Sequence, residues 1–204
     1  MIAVLDYGIG NLRSAEKALQ HVGADARLVS DPDEAAGADG VVLPGVGNFG
    51  GCMQALRRSG LDRAALAAVG EGRPFLGICV GMQMLYEGSE ESPGVPGLGL
   101  LPGVVRLLPG EVKRPQMQWN VLRVVGQGCA LLDGVGAEPW FYFVHSYAAP
   151  AGEEVVATCD YGGPVVAMSG RPGMWATQFH PEKSGAAGLR LLANFAASCR
   201  RPPG

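Results

Sequence analysis

The first eighty residues alternate short, continuously apolar runs with segments of helical periodicity, and few folds accept that pattern. Ile2-Ala3-Val4-Leu5 reads as a buried strand and Asp6-Tyr7-Gly8-Ile9-Gly10 as a turn; Leu12, Ala15, Leu19 and Val22 then recur at helical spacing. Asn11 stands where that helix needs a cap, and Gly23 where it must end. Val41-Val42-Leu43 is a second buried strand, which runs into Pro44-Gly45-Val46-Gly47 and a helix ending near Arg58. A further helix over 61–69 precedes the apolar run Phe75-Leu76-Gly77-Ile78-Cys79. Strands that are apolar throughout, joined through helices, require right-handed crossovers and a parallel sheet covered on both faces. The expected class is therefore α/β, with an open, mostly parallel central sheet. Sites in such sheets form at the carboxyl ends of strands. The Asp6 loop, the Pro44 loop and Cys79 each follow a strand, so they are expected along one edge.

The second half changes character. Residues 104–108, 121–125, 140–147, 155–161, 165–168 and 174–179 read as strands joined by turns rich in glycine and proline, which predicts an antiparallel extension of the sheet. A last helix, capped by Ser184 and carrying Leu189, Leu192, Phe195 and Ala196, closes the pattern before a disordered tail at 201–204. With 204 residues, 48% hydrophobic and 17% charged, the expectation is one well-buried domain over 1–200.

Cys79 lies between Gly77 and Gly81 where an apolar strand meets the helical pattern of Met82, Met84 and Leu85. That is the layout of a nucleophile elbow: the corner is too sharp for bulky neighbours, it projects one side chain, and the next backbone N–H points toward a reacting carbonyl. A helix start behind the sulfur also favours negative charge. Taken alone, Cys79 also reads as a buried structural cysteine. His180 and Glu182 add a base and a carboxylate. In an extended segment, positions two apart face the same way, so Glu182 is placed to orient the His180 ring. The Pro44-Gly45-Val46-Gly47 loop is a candidate second donor beside the Val80 N–H for an oxyanion, a single such donor being worth about 3 kcal/mol.

Charge and cysteine spacing exclude other classes. A net charge of -3 without a lysine or arginine run argues against nucleic acid or a membrane surface as partner, and no signal peptide or membrane span is visible. The five cysteines are odd in number, widely spaced and lack any CxxC, which fits a reducing cytoplasm and gives no metal site.

Taken together, Gly77-x-Cys79-x-Gly81-x-Gln83, the Pro-Gly loop and His180-Pro181-Glu182 closely resemble the class I (triad) glutamine amidotransferases, over essentially the whole chain. Within that class, Asp6 to Leu12, Met117-x-Trp119-Asn120, His145-Ser146-Tyr147 and Phe179 to Ser184 resemble the glutaminase subunits of imidazole glycerol phosphate synthase, which act in histidine biosynthesis. The resemblance implies a flavodoxin-like fold and no cofactor. It implies Cys79, His180 and Glu182 as catalytic residues; Val46, Gly47 and Val80 around the oxyanion; and Gln83, Glu91, His145, Ser146 and Tyr147 around L-glutamine. Asn11, Trp119 and Lys183 match positions near the interface with a separate (β/α)8-barrel synthase subunit, the partner in a heterodimer. That subunit receives ammonia and makes imidazole glycerol phosphate and aminoimidazole carboxamide ribonucleotide.

One stretch departs from the pattern. The family reads Pro-His-Met-Gly-Trp-Asn where this chain has Pro115-Gln116-Met117-Gln118-Trp119-Asn120, and Gln118 restricts the backbone freedom a glycine would have. Two alternatives share the triad: a glutaminase for pyridoxal phosphate or anthranilate synthesis, and a catalytically silent glutamine-binding scaffold.

Overall fold

A computed structural model describes residues 1–125 and 129–200. In chain order the elements are Ile2–Leu5 (β1), Leu12–His21 (α1), Ala26–Val29 (β2), Pro32–Ala36 (α2), Gly40–Gly45 (β3), Phe49–Ser59 (α3), Leu61–Gly70 (α4), Phe75–Cys79 (β4) and Val80–Gln83 (α5). There follow Gly88–Ser89 (β5), Val104–Leu107 (β6), Gln116–Val121 (β7), Arg123–Val124 (β8), Trp140–His145 (β9), Tyr147–Ala148 (β10), Val155–Asp160 (β11), Pro164–Arg171 (β12), Met174–Thr177 (β13) and Gly185–Ser198 (α6). Residues 201–204, expected as a disordered tail, lie outside the described residues.

The central sheet has the order β2-β1-β3-β4-β13-β12-β11-β8. Its first five strands are mutually parallel and the last three alternate in direction, as the expected antiparallel extension requires. β1, β3 and β4 are buried at every position, which is the reason their sequences are apolar throughout. Each needs cover on both faces, and Leu19 of α1, Leu56 of α3 and Leu192 of α6 are fully buried in the same apolar core.

The strand assignments need correction in the second half. β6 and β9 do not extend the central sheet: β6 joins β10 and β5 in a three-stranded sheet, and β9 pairs with β7 in a two-stranded ribbon. The expected strand over 140–147 breaks at Ser146, whose carbonyl accepts from Leu108 N–H at 2.9 Å, so β9 and β10 serve different sheets. The expected strand over 121–125 is likewise divided between the end of β7 and β8.

The helix behind Cys79 is a single turn. Carbonyls of Met84, Leu85 and Tyr86 accept from N–H groups of Leu98, Leu100, Leu101 and Gly99 instead of continuing the helical ladder. Asn11 and Ser184 stand at helix N-caps as expected, yet neither side chain makes the capping bond. Ser184 Oγ donates to the His180 carbonyl at 2.6 Å and accepts from Tyr142 N–H at 3.0 Å, tying α6 to the site instead.

Candidate active site

Cys79 adopts φ 56° and ψ -112° and is the one non-glycine residue with positive φ among those described. Such a conformation costs roughly 1–3 kcal/mol and persists only where the surroundings enforce it. The enforcement is visible on both sides. A Cβ on Gly81 would lie 1.8 Å from the Leu43 carbonyl oxygen, and one on Gly77 would lie 2.9 Å from the Gly81 oxygen. The turn thus closes backbone against backbone, and the chain bends so sharply that only Cys79 projects.

Register then brings the Pro44 loop to the sulfur. In the β3–β4 ladder Gly45 pairs with Cys79, so Val46 and Gly47 continue past the thiol. The loop is held from beneath: Tyr7 Oη donates to the Pro44 carbonyl at 2.7 Å and Cys52 Sγ to the Val46 carbonyl at 3.4 Å. Burial pushes the Tyr7 hydroxyl and the Cys52 thiol up, so both remain protonated donors at neutral pH.

His180 lies three residues beyond the end of β13 and caps a 3-10 turn over Pro181–Lys183. This turn, not the extended spacing expected from the sequence, places Glu182 Oε1 2.8 Å from His180 Nδ1. Both side chains are almost wholly buried, at 2% and 4% exposure. Nδ1–H donates to the carboxylate, and Nε2 makes no hydrogen bond. Burial works to lower the His180 pKa, but the Cys79 sulfur as its anion and the Glu182 carboxylate outweigh it and lift the value to about 9. A raised value means that the imidazolium is stabilised, so a proton taken from sulfur is held on the ring and available to a leaving group.

Val46, Gly47, Cys79, Val80, Gln83, Glu91, Pro115, Val144, His145, Ser146, Tyr147 and His180 line one cavity of about 260 Å³. Every residue expected around the oxyanion and around glutamine is therefore on its wall, with Glu182 behind His180. A larger groove of about 550 Å³ over Glu87–Pro96 offers carboxylates but neither thiol nor imidazole.

The other lining residues are tied to their surroundings by hydrogen bonds. Gln83 Nε2 donates to the Tyr147 carbonyl and to Gln178 Oε1, each at 3.0 Å. Glu91 Oε2 accepts from Phe49 N–H at 2.7 Å, fixing the carboxylate at the start of α3. His145 Nδ1 lies 2.8 Å from the Tyr147 carbonyl and its Nε2 3.0 Å from the Gln116 amide. Burial, with a smaller repulsion from His180, lowers the His145 pKa to about 4, so the ring is neutral. A neutral ring that donates through Nδ1 must accept at Nε2, so the Gln116 amide turns its NH2 to His145 and its oxygen to the Cys159 thiol.

Sequence reasoning missed Gln178, whose Nε2 lies 3.8 Å from Cys79 Sγ. Gln178 precedes His180 by two residues, but the backbone bends between them, so strand alternation does not connect the two and the sequence carries no signal for it. Asn11 and Lys183 are exposed, and Trp119 is 47% exposed on the β7–β9 ribbon.

A sequence model of the family "Glutamine amidotransferase class-I" matches residues 3–199. The chain belongs to the class I glutamine amidotransferases. It is 52% identical over 197 residues to the imidazole glycerol phosphate synthase subunit HisH of Methanothermobacter thermautotrophicus, covering 96% of this chain and 97% of that one. The corresponding HisH subunit of Deinococcus radiodurans is 48% identical over 198 residues, covering 95% and 92%. Among solved structures, a glutamine amidotransferase superposes with TM-score 0.75 at 23% identity, covering 96% of this chain and 98% of that one. The glutaminase domain of a Trypanosoma brucei CTPS superposes with TM-score 0.69 at 17% identity, covering 97% and 92%. Within the amidotransferase family the chain is thus similar to HisH subunits over nearly its whole length, and it has the class I amidotransferase fold.

Proposed function

We propose that this amidotransferase hydrolyses L-glutamine through Cys79 and passes the ammonia to a synthase subunit. The thiol proton moves to His180 Nε2 as sulfur attacks the carboxamide carbon, and His180 returns it to the departing nitrogen. Ammonia and a glutamyl thioester result. Water, deprotonated by His180 Nε2, then attacks the thioester to release glutamate, and the same proton passes from His180 to the leaving sulfur and restores the thiol. Glu182 holds the ring by its other nitrogen. N–H groups of Val46, Gly47 and Val80 are the assigned donors for the oxyanion.

The wall residues suit the amino-acid end of glutamine. The NH2 of Gln83 is already committed to Tyr147 and Gln178, which leaves its oxygen as the group it offers a ligand. That oxygen and the anchored carboxylate of Glu91 both favour the α-ammonium, and the backbone of His145, Ser146 and Tyr147 supplies further contacts. The observation that carries the reading is the strained, positive-φ Cys79 sharing a cavity with a buried imidazole–carboxylate pair.

The partner reading rests on the β7–β9 ribbon. Register puts Met117 opposite Val144, Trp119 opposite Tyr142 and Val121 opposite Trp140. Met117, Trp119 and Trp140 are 63%, 47% and 56% exposed on the face turned from Phe141 and Phe143, which are fully buried. Val144 carries this apolar face to the catalytic cavity. We assign the face, with Asn11 and Lys183, to docking of a (β/α)8-barrel synthase as a cytoplasmic heterodimer, which converts the ammonia and its nucleotide substrate to imidazole glycerol phosphate and aminoimidazole carboxamide ribonucleotide. The single unit doing this spans 1–200. The test mixes the chain with that synthase and its nucleotide ligand and follows glutamate release. Strong stimulation over a low basal rate is expected; full activity of the lone chain, or none gained from the partner, refutes the reading.

A further inference from the structure

Gln178 is fully buried immediately after β13, with its backbone N–H on the Ala167 carbonyl at 2.8 Å. Its side chain sits between Gln83 and the sulfur of Cys79, on the inner side of the catalytic cavity. Which end of a glutamine amide faces a neighbour is normally ambiguous, but here one group decides it. The Tyr147 carbonyl only accepts, so the Gln83 group that reaches it is the NH2. The same nitrogen meets Gln178, which therefore presents its oxygen to Gln83 and its NH2 to Cys79.

We propose that Gln178 is a positioning residue for the nucleophile: its amide N–H, aimed by Gln83 and by the Tyr147 carbonyl behind it, holds the Cys79 sulfur while the thiol proton passes to His180 Nε2. The proposal rests on the assignment of Cys79 as nucleophile. A donor 3.8 Å from sulfur is a soft contact that strengthens when the acceptor becomes an anion, so it favours the thiolate over the thiol. His180 acts from the cavity, where it takes the proton. Gln178 acts from the core, where it carries no charge and exchanges no proton. A buried amide with both ends committed cannot rotate to follow the sulfur, so it fixes the side chain in one rotamer.

The test is the pH dependence of Cys79 alkylation by iodoacetamide in the full chain, followed by peptide mass mapping so that Cys52, Cys129, Cys159 and Cys199 do not contribute. The titratable groups facing Cys79 are His180, Tyr7 and Cys52, with His145 and Glu91 on the cavity wall, and all are unchanged in the variants. Gln178→Glu keeps the acceptor for Gln83 but sets a carboxylate against the sulfur, so the alkylation midpoint should rise by about one pH unit or more. Gln178→Met, near in shape, removes the donor without adding charge and should shift the midpoint the same way by less. Both should lower kcat more than they raise KM. Should Gln178→Glu lose its cooperative thermal transition, Gln178→Met carries the test. A Gln178→Met profile that overlays the wild type, whatever its kcat, means that Gln178 only packs, and overturns the proposal. Failure of the underlying assignment looks different: Cys79→Ala would then still release glutamate.

Discussion

Replacing Gly81 by alanine attacks the elbow without touching a reacting group. A Cβ there would stand 1.8 Å from the Leu43 oxygen and 2.9 Å from the Leu43 carbonyl carbon, whereas ordinary contact begins at 3.4 Å. Relief requires an opening of about 1.6 Å, the difference between the 3.4 and 1.8 Å distances, and both partners are backbone, so no rotamer change supplies it. The movement falls on the β3–β4 ladder, where Leu43 pairs with Gly77 and Gly45 with Cys79. Overpacking of this kind costs roughly 1–3 kcal/mol, and displacing a reacting atom by about 1 Å costs on the order of 10²-fold in rate. The expected result is a lowered urea midpoint together with a fall in glutamate release on the order of 10²-fold, measured in the complex with the synthase. Gly70→Ala is the control. At the end of α4 its Cβ meets nothing within 4 Å, so helix propensity alone should act and stabilise by at most about 1 kcal/mol. If Gly81→Ala matched the wild type in both midpoint and turnover, the elbow would not be what holds Cys79 in place.

Glu182→Gln leaves an acceptor for His180 Nδ1 but removes the charge that helps lift its pKa to about 9, so kcat should fall by roughly 10²-fold or more and the alkaline limb of kcat/KM should begin at lower pH. His145 has its pKa lowered from 6.5 to about 4, so its contribution to stability is present above pH 6.5, declines as pH falls and is gone below about 4; His145→Gln should flatten the loss of melting temperature across that window. Trp140→Ala, at the end of the exposed ribbon face, should weaken capture of the synthase by about tenfold or more in titration calorimetry while leaving the melting temperature of the lone chain nearly unchanged.

How much the sequence showed depended on which physical rule a residue obeyed. The parallel half was readable because β1, β3 and β4 are buried on both faces and need apolar residues throughout. The elbow was readable because its contacts leave no room for a Cβ at Gly81, a constraint that one residue type alone satisfies. β2 and α2 went unseen: Ala26–Val29 exposes Arg27 at an edge of the sheet, and Pro32–Ala36 is a short helix with one buried residue. β7 was hidden for the opposite reason. Its exposed face carries Met117 and Trp119 while the side turned inward carries Gln116, so the usual alternation is inverted. His180 and Glu182 were paired for a geometric reason that the 3-10 turn replaces. Gln178 was overlooked because a buried glutamine shows its purpose only through partners, and its partners Gln83 and Cys79 lie 95 and 99 residues away along the chain.

The nucleophile itself can be caught in the act. The complex with its synthase, mixed with glutamine, quenched in acid within a turnover and digested for peptide mass mapping, should carry the mass of a glutamyl group on the peptide containing Cys79, and Cys79→Ala should carry none and release no glutamate. A glutamyl group found on another cysteine, or glutamate released at the wild-type rate by Cys79→Ala, would contradict the account.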